Sequence, residues 1–318
     1  MKKNYLILAL LACAGAIYPI LFPSYLTVAI SILLFIGWAT SWDLLGGWCG
    51  QVSLGHASFV GLGAYFVAVG SASYGIAPWW TILAAMLCAA LLAYLWGWLT
   101  FNLRGPYFSL STIAIAEILR LVAINETWLT GGATGVFIME LPQPFGIDLF
   151  DKSAQYYMAL AFAVLTLIVV FAISNRKLGY QLRAVREDED AAMAAGINPT
   201  SVKLKAFAIS GALTAVGGGI YGIFLSFLEP HMMFHLLLSI QIALTAIIGG
   251  RGTLWGPALG AVVLVSAGEL FRTTFSHANM LVYGLLILLV VLFFPRGIVG
   301  ELVRNLIRRR YANRAQSQ

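Results

Sequence analysis

The chain has 318 residues, 60% of them hydrophobic and only 10% charged, with a formal net charge of +6. An ordinary soluble domain is roughly 25% charged, so there are too few charges here to coat a water-facing surface, and a soluble globular domain is excluded. The apolar residues come in long blocks separated by brief polar ones, as in helices that span lipid.

Blocks of about twenty residues, matched to a hydrocarbon core of ~30 Å, predict an all-α fold: a polytopic transmembrane helical bundle with about ten membrane segments. These lie near 5–22, 26–45, 55–73, 79–101, 107–127, 155–174, 203–228, 236–250, 255–273 and 280–294, several of them short or broken by glycine. Apolar sequence continues well beyond Leu10–Cys13, so the first block reads as a span and not as a cleaved leader. Cys13, Cys49 and Cys88 are odd in number and lack metal-ligand or disulfide spacing, which makes them small packing residues.

The first glycine-rich break, LLGGWCGQVSLGHASFVGLGAY, runs from Leu44 to Tyr65. Non-helical backbone survives at membrane depth only where protein or water satisfies its polar groups. The break is therefore expected to face a neighbouring helix or a polar path. Gln51, Ser53 and His56 are candidates for lining that path; the alternative is interhelical hydrogen bonding, worth ~0.6 kcal/mol per bond.

Further along, EILR at 117–120 and ELFR at 269–272 each place Glu and Arg at i,i+3 on one helical face. A lone intramembrane charge costs about 2.5–3.5 kcal/mol on insertion scales. Mutual neutralisation of Glu117 with Arg120, and of Glu269 with Arg272, is the favoured reading over substrate contact. Asp43 has no evident local partner. At the ends of the loop 128–156, Trp128, Tyr156 and the adjoining Tyr157 are expected to anchor at the membrane interface.

The longest polar connection, about 176–205, carries helix signals. Glu187, Asp188, Glu189 and Asp190 favour an N-terminal turn through the helix dipole, strong helix formers follow from Ala191 to Ala195, and Gly196 and Pro199 end the helix. Thr200 or Ser201 is expected to cap the next span. The result is a short helix with an alanine-rich surface, suited to a groove on a partner or serving only as a solvated connector. A second glycine-rich break, GGRGTLWGPALGA at 249–261, echoes the first, as repeated transporter halves do.

All nineteen basic residues except Lys152, Arg120 and Arg272 fall on one side of this topology. By the positive-inside rule the N- and C-termini are both cytoplasmic. Residues 1–303 form the transmembrane domain, and the basic tail 304–318 lies on the anionic inner leaflet. That placement points the charge toward lipid and not nucleic acid. The sequence contains no phosphate-binding loop, HExxH, paired CxxC or nucleophile elbow, so no catalytic residue and no cofactor is expected, and no ATP hydrolysis by this chain. His231 and His235 stand at i,i+4 without an evident third ligand, so no metal site is expected.

Five stretches in order resemble the permease subunit of branched-chain amino acid ATP-binding-cassette importers, the LivM-like family. They are GQVSLGHASFVGLGAY at 50–65, LSTIAIAEILR at 110–120 with TGGATGV at 130–136, the run 178–222, IGGRGTLWGPALGA at 248–261 and FFPRGIVG at 293–300. The resemblance implies a bacterial inner-membrane protein paired with a second, related permease subunit, two ATPase subunits and an external binding protein that selects the substrate. It also implies that the polar connection docks into an ATPase, with contacts from Arg186, Glu187, Asp188, Asp190, Ala191, Ala192 and Gly196. Urea or short-amide permeases are closely similar. An ion-coupled secondary transporter, dependent on Asp43, Glu117 or Glu269, is the rival outside that class.

Overall fold

The computed structural model describes residues 2–101, 106–143 and 146–274, together with Gly284 and Gly297. Apart from those two glycines, the expected segment 280–294 and the basic tail 304–318 lie outside the described residues.

The chain folds as a helical membrane protein. Its helices are α1 (Lys2–Leu21), α2 (Leu26–Gly46), α3 (His56–Val67), α4 (Pro78–Thr100), α5 (Tyr107–Asn125), α6 (Thr127–Thr130), α7 (Lys152–Ser174), α8 (Lys177–Glu187), α9 (Glu189–Ala194), α10 (Pro199–Leu225), α11 (Pro230–Met233), α12 (Leu236–Gly250) and α13 (Gly256–Thr274). Nine of the ten expected segments coincide with helix. Six helical stretches among the described residues are long and apolar enough to cross a membrane: Pro23–Gly46, Pro78–Thr100, Tyr107–Asn125, Lys152–Ser174, Pro199–Leu225 and Pro230–Gly250. Helices α3 and α13 fall short for local reasons. After twelve residues α3 widens into π-helical turns at Ala68–Ser73, and α13 ends on the polar residues Glu269, Arg272, Thr273 and Thr274.

Helix starts follow capping chemistry more closely than hydropathy. Helix α7 begins at Lys152, three residues before its apolar block, because Asp151 accepts the Ala154 N–H at 3.3 Å. Helix α10 begins at Pro199, where Asn198 Oδ1 accepts the Ser201 N–H at 3.1 Å. The cap is therefore Asn198 and not Thr200 or Ser201: proline suits the first helical position, which moves the cap one residue upstream of it.

Helix α10 is the centre of the bundle and packs on α2, α3, α4 and α7. Its crossing with α3 is made close by glycine on both sides. A Cβ at Gly63 would overlap the Ala215 carbonyl, and one at Gly218 would overlap the Val60 carbonyl. Small residues let membrane helices reach backbone contact where no hydrophobic force draws them together. Bulk fills the flanks of this seam: Trp38, Trp42 and Phe162 on one side, Phe59, Phe108 and Phe207 on the other, all buried. The second aromatic group continues through Leu182 and Val185 of α8 and Ala192 of α9, so the polar connection is packed onto the bundle.

One feature departs from a purely helical reading. The loop after α6 forms a two-residue strand β1 (Val136–Phe137) that pairs antiparallel with β2 (Phe227–Leu228), tying this loop to the end of α10.

Candidate coupling site at the glycine junction

The two glycine-rich breaks, far apart in sequence, meet in space beside α8. The first break, between α2 and α3, keeps its backbone satisfied through borrowed partners. Ser109 Oγ of α5 donates to the Val52 carbonyl at 2.6 Å, Trp42 Nε1 of α2 to the Ser53 carbonyl at 2.7 Å, and the Leu54 N–H to Thr112 Oγ1 of α5 at 2.9 Å. At the start of α3, the Ala57 N–H donates to Ser239 Oγ of α12 at 2.8 Å. Side chains from three helices thus do for this segment what an unbroken helix does for itself.

The second break is held to the first by Asp43. Its carboxylate is buried and accepts the Gly252 N–H, with N···O distances of 2.8 Å to Oδ1 and 3.0 Å to Oδ2. A Cβ at Gly47 would overlap both this carboxylate and the Gly252 nitrogen, so the junction requires glycine there. The backbone amide that Asp43 holds lies 209 residues later in the chain.

Arg186, in the last turn of α8, closes the junction. Its Nη1 donates to the Gly47 carbonyl at 3.0 Å, while Nε and Nη2 donate to Glu187 Oε1 at 3.2 and 2.8 Å. Helix α8 is itself anchored by Arg183, whose Nη2 donates to the Ser174 carbonyl at 2.7 Å and whose guanidinium lies 5.0 Å over the Trp48 ring.

The polar connection contains two helices where the sequence predicts one. Asp188 is extended, at φ −160°, and its Oδ1 accepts the Ala191 N–H at 2.9 Å, so the side chain caps α9 instead of continuing α8. Glu187 consequently ends α8, and only Glu189 and Asp190 occupy an acidic first turn. Gly196 terminates α9 as expected, with φ +79°. The Gly196 and Ile197 N–H groups bond back to the Met193 and Ala192 carbonyls at 2.9 and 3.0 Å, the paired geometry in which glycine is favoured.

Of the seven residues named for partner contact, Arg186, Glu187, Asp188, Asp190, Ala191 and Gly196 are exposed. Ala192 is buried at 3% exposure and packs inward, because α9 turns this face onto the bundle. Met193, half-exposed, stands among the outward residues instead.

The three path candidates separate. Gln51 Nε2 donates to Glu189 Oε1 at 3.4 Å, which places Gln51 against α9. The same Glu189 oxygen pairs with buried Lys203 Nζ at 2.5 Å. His56 is fully buried; its Nδ1 lies 3.0 Å from Ser53 Oγ and its Nε2 2.8 Å from Ser210 Oγ, which in turn donates to the Ser41 carbonyl at 2.6 Å. Ser53 and His56 therefore belong to an interhelical network joining α2, α3 and α10.

Both i,i+3 ion pairs form. Arg120 Nε donates to Glu117 Oε2 at 2.9 Å, and Arg272 Nη2 pairs with Glu269 Oε1 at 2.6 Å. His231 Nδ1 lies 2.8 Å from Arg120 Nη1, whereas His235 Nδ1 accepts the Leu237 N–H at 3.1 Å, so the two histidines serve different partners. Sequence reasoning passed over Arg183 and Lys203 as site residues and named Asp43 only as an acid on which an ion-coupled transporter would depend. The only signal for Asp43 was an unpaired acid in an apolar segment.

The family described as "Branched-chain amino acid transport system / permease component" matches residues 22–291. The chain is 29% identical to the high-affinity branched-chain amino acid transport system permease protein LivM of Salmonella typhimurium, over 94% of this chain and 75% of that protein. It is 28% identical to LivM of Escherichia coli (strain K12), with the same coverage. The permease protein LivH of Escherichia coli (strain K12) is 25% identical over 83% of this chain and 90% of its own length. No solved structure matches.

Proposed function

This chain belongs to the family of branched-chain amino acid transport permease components, and from that membership we propose how its glycine junction serves an ATP-driven importer. The chain is a multi-pass bacterial inner-membrane permease for branched-chain amino acids. In our reading it works with a second, related permease subunit, two separate ATPase subunits and an external binding protein, and both termini and the α8–α9 connection face the cytosol.

The observation that carries the mechanism is the Arg186 bond to the Gly47 carbonyl. A partner seated on the outward residues of α8 and α9 grips a surface whose arginine is tied to the first break. Through Asp43 and Gly252 the first break is tied to the second. Displacing α8 thus loads α2, α3 and α13 together, where helix ends meet through few hydrogen bonds and glycine leaves the backbone freest. ATP binding gives direction only if the partner's nucleotide states prefer different positions of this connection. The chain itself makes and breaks no covalent bond.

The reading is tested by reconstituting the chain in proteoliposomes with a candidate second permease, ATPases and binding protein. Leucine uptake should require all of them and ATP. Uptake at full rate with the ATPases omitted would overturn it, and uptake of urea in place of leucine would overturn the substrate assignment.

A further inference from the structure

The Glu117–Arg120 pair does more than neutralise itself. Glu117 lies about 15 Å along α5 from Tyr107 at 1.5 Å rise per residue, near the middle of a helix that is apolar enough to span the membrane. Its side chain is nevertheless 52% exposed and that of Arg120 21% exposed, so the pair points away from the chain's own core. Charges at this depth face protein or water and not hydrocarbon. Beside them, α11 and α12 form a helix broken at Phe234 and His235, the kind of interruption that accompanies polar cavities, and α11 supplies exposed His231.

The donors and acceptors are specific. Arginine has no acceptor, so the Arg120 contact makes His231 Nδ1 the unprotonated nitrogen and leaves the Nε2–H as an outward donor. Arg120 uses three of its five N–H groups on Glu117 and His231, leaving two. The cluster therefore presents N–H donors beside a carboxylate whose further lone pairs are open to solvent.

We propose that Glu117, Arg120 and His231 form a polar station on the translocation path that holds the charged backbone of an amino acid in transit, Arg120 and His231 taking its α-carboxylate and Glu117 its α-ammonium. The pair has no net charge, so the station stays neutral when empty and when it holds a zwitterion, and it attracts neither a free anion nor a free cation strongly. Because the internal pair competes with the substrate for the same groups, binding is weak and release is quick, as a path requires. The apolar side chain of the substrate is not read here.

The inference rests on the reading of this chain as an amino acid permease, and ATP-dependent leucine uptake by the wild-type complex tests that reading separately. With that uptake in hand, the neutral double variant Glu117→Gln/Arg120→Gln, which brings no new charge into the membrane, is expected to take up leucine at least tenfold more slowly per ATP hydrolysed. His231→Gln, outside the ion pair, is expected to lower the same ratio about threefold to tenfold. Wild-type ratios in both variants would overturn the station. Failure of the double variant to co-purify with its partner subunits, with His231→Gln transporting normally, would overturn it in favour of a contact between subunits.

Discussion

The Asp43 carboxylate accepts one backbone amide, that of Gly252, with both oxygens within 3.0 Å, and so joins the end of α2 to the turn that precedes α13. Replacing Asp43 by Ala leaves this amide without its acceptor and Gly47 facing a gap. Such a loss costs about 1–3 kcal/mol. We expect a lower midpoint of thermal unfolding in detergent, with Asp43→Asn between wild type and Ala because its carbonyl still accepts one bond. Equal midpoints for Ala and wild type would remove Asp43 as the clasp of the junction.

Arg186 reaches the Gly47 carbonyl and Glu187 at once because its guanidinium is a rigid fork. Lysine keeps the charge and loses that geometry. Arg186→Lys should insert normally and bind its ATPases, yet import leucine at least fivefold more slowly in proteoliposomes. A rate equal to wild type would show that charge alone suffices and that the Gly47 bond transmits nothing.

Gly196→Pro should abolish ATP-driven uptake while leaving membrane insertion intact, since proline cannot adopt the φ of +79° found there. Charge reversal at Glu187 and Asp188 should do the same. The structure divides the two acids: Asp188 also caps α9, worth typically ~1 kcal/mol. Asp188→Ser, which preserves a cap, should therefore retain more uptake than Asp188→Lys. Full uptake in the Gly196→Pro variant would count against docking through α9.

At the α3–α10 seam, Gly63→Ala and Gly218→Ala each insert a methyl into the opposing backbone. Overpacking of this kind costs about 1–3 kcal/mol. Each variant should unfold at a lower temperature in detergent. The double variant should show less than the summed shift, because one separation of the helices relieves both clashes.

Cys49 lies between α2 and α3, and burial pushes its thiol up to about 12, against a smaller opposing pull from Lys203. Only the thiolate reacts with maleimide, so at pH 7.5 the native protein should resist labelling at Cys49 and accept it after denaturation in SDS. Labelling should rise as pH climbs toward that value. Rapid labelling of the native protein at pH 7.5 would mean that Cys49 is not held in the buried cluster around it.

Much of the site was legible from residue chemistry because its signals are local. Glycine clusters marked both breaks, the Glu and Arg spacing marked both ion pairs, and Gly196 marked the end of α9. Elsewhere local signals competed. The acidic run 187–190 reads as one helix start, yet Asp188 serves as a cap and divides the run between two helices. The periodicity of α9 did not say which alanine faces inward, and the bundle chose Ala192. Gln51 shares a polar stretch with Ser53 and His56, and only the turn of the chain decided that its amide reaches Glu189.

Sequence by itself determined the solvent, the helical class and the places where the helices break, since these follow from how many apolar residues stand in a row and where glycine interrupts them. Only the tertiary structure decided that the two breaks touch, that Asp43 answers to Gly252, and that Arg186 rests on Gly47. Those contacts join residues far apart along the chain through backbone groups. A carbonyl or an amide is the same chemical group at every position, so nothing in the order of side chains announces which one a distant carboxylate or guanidinium will find.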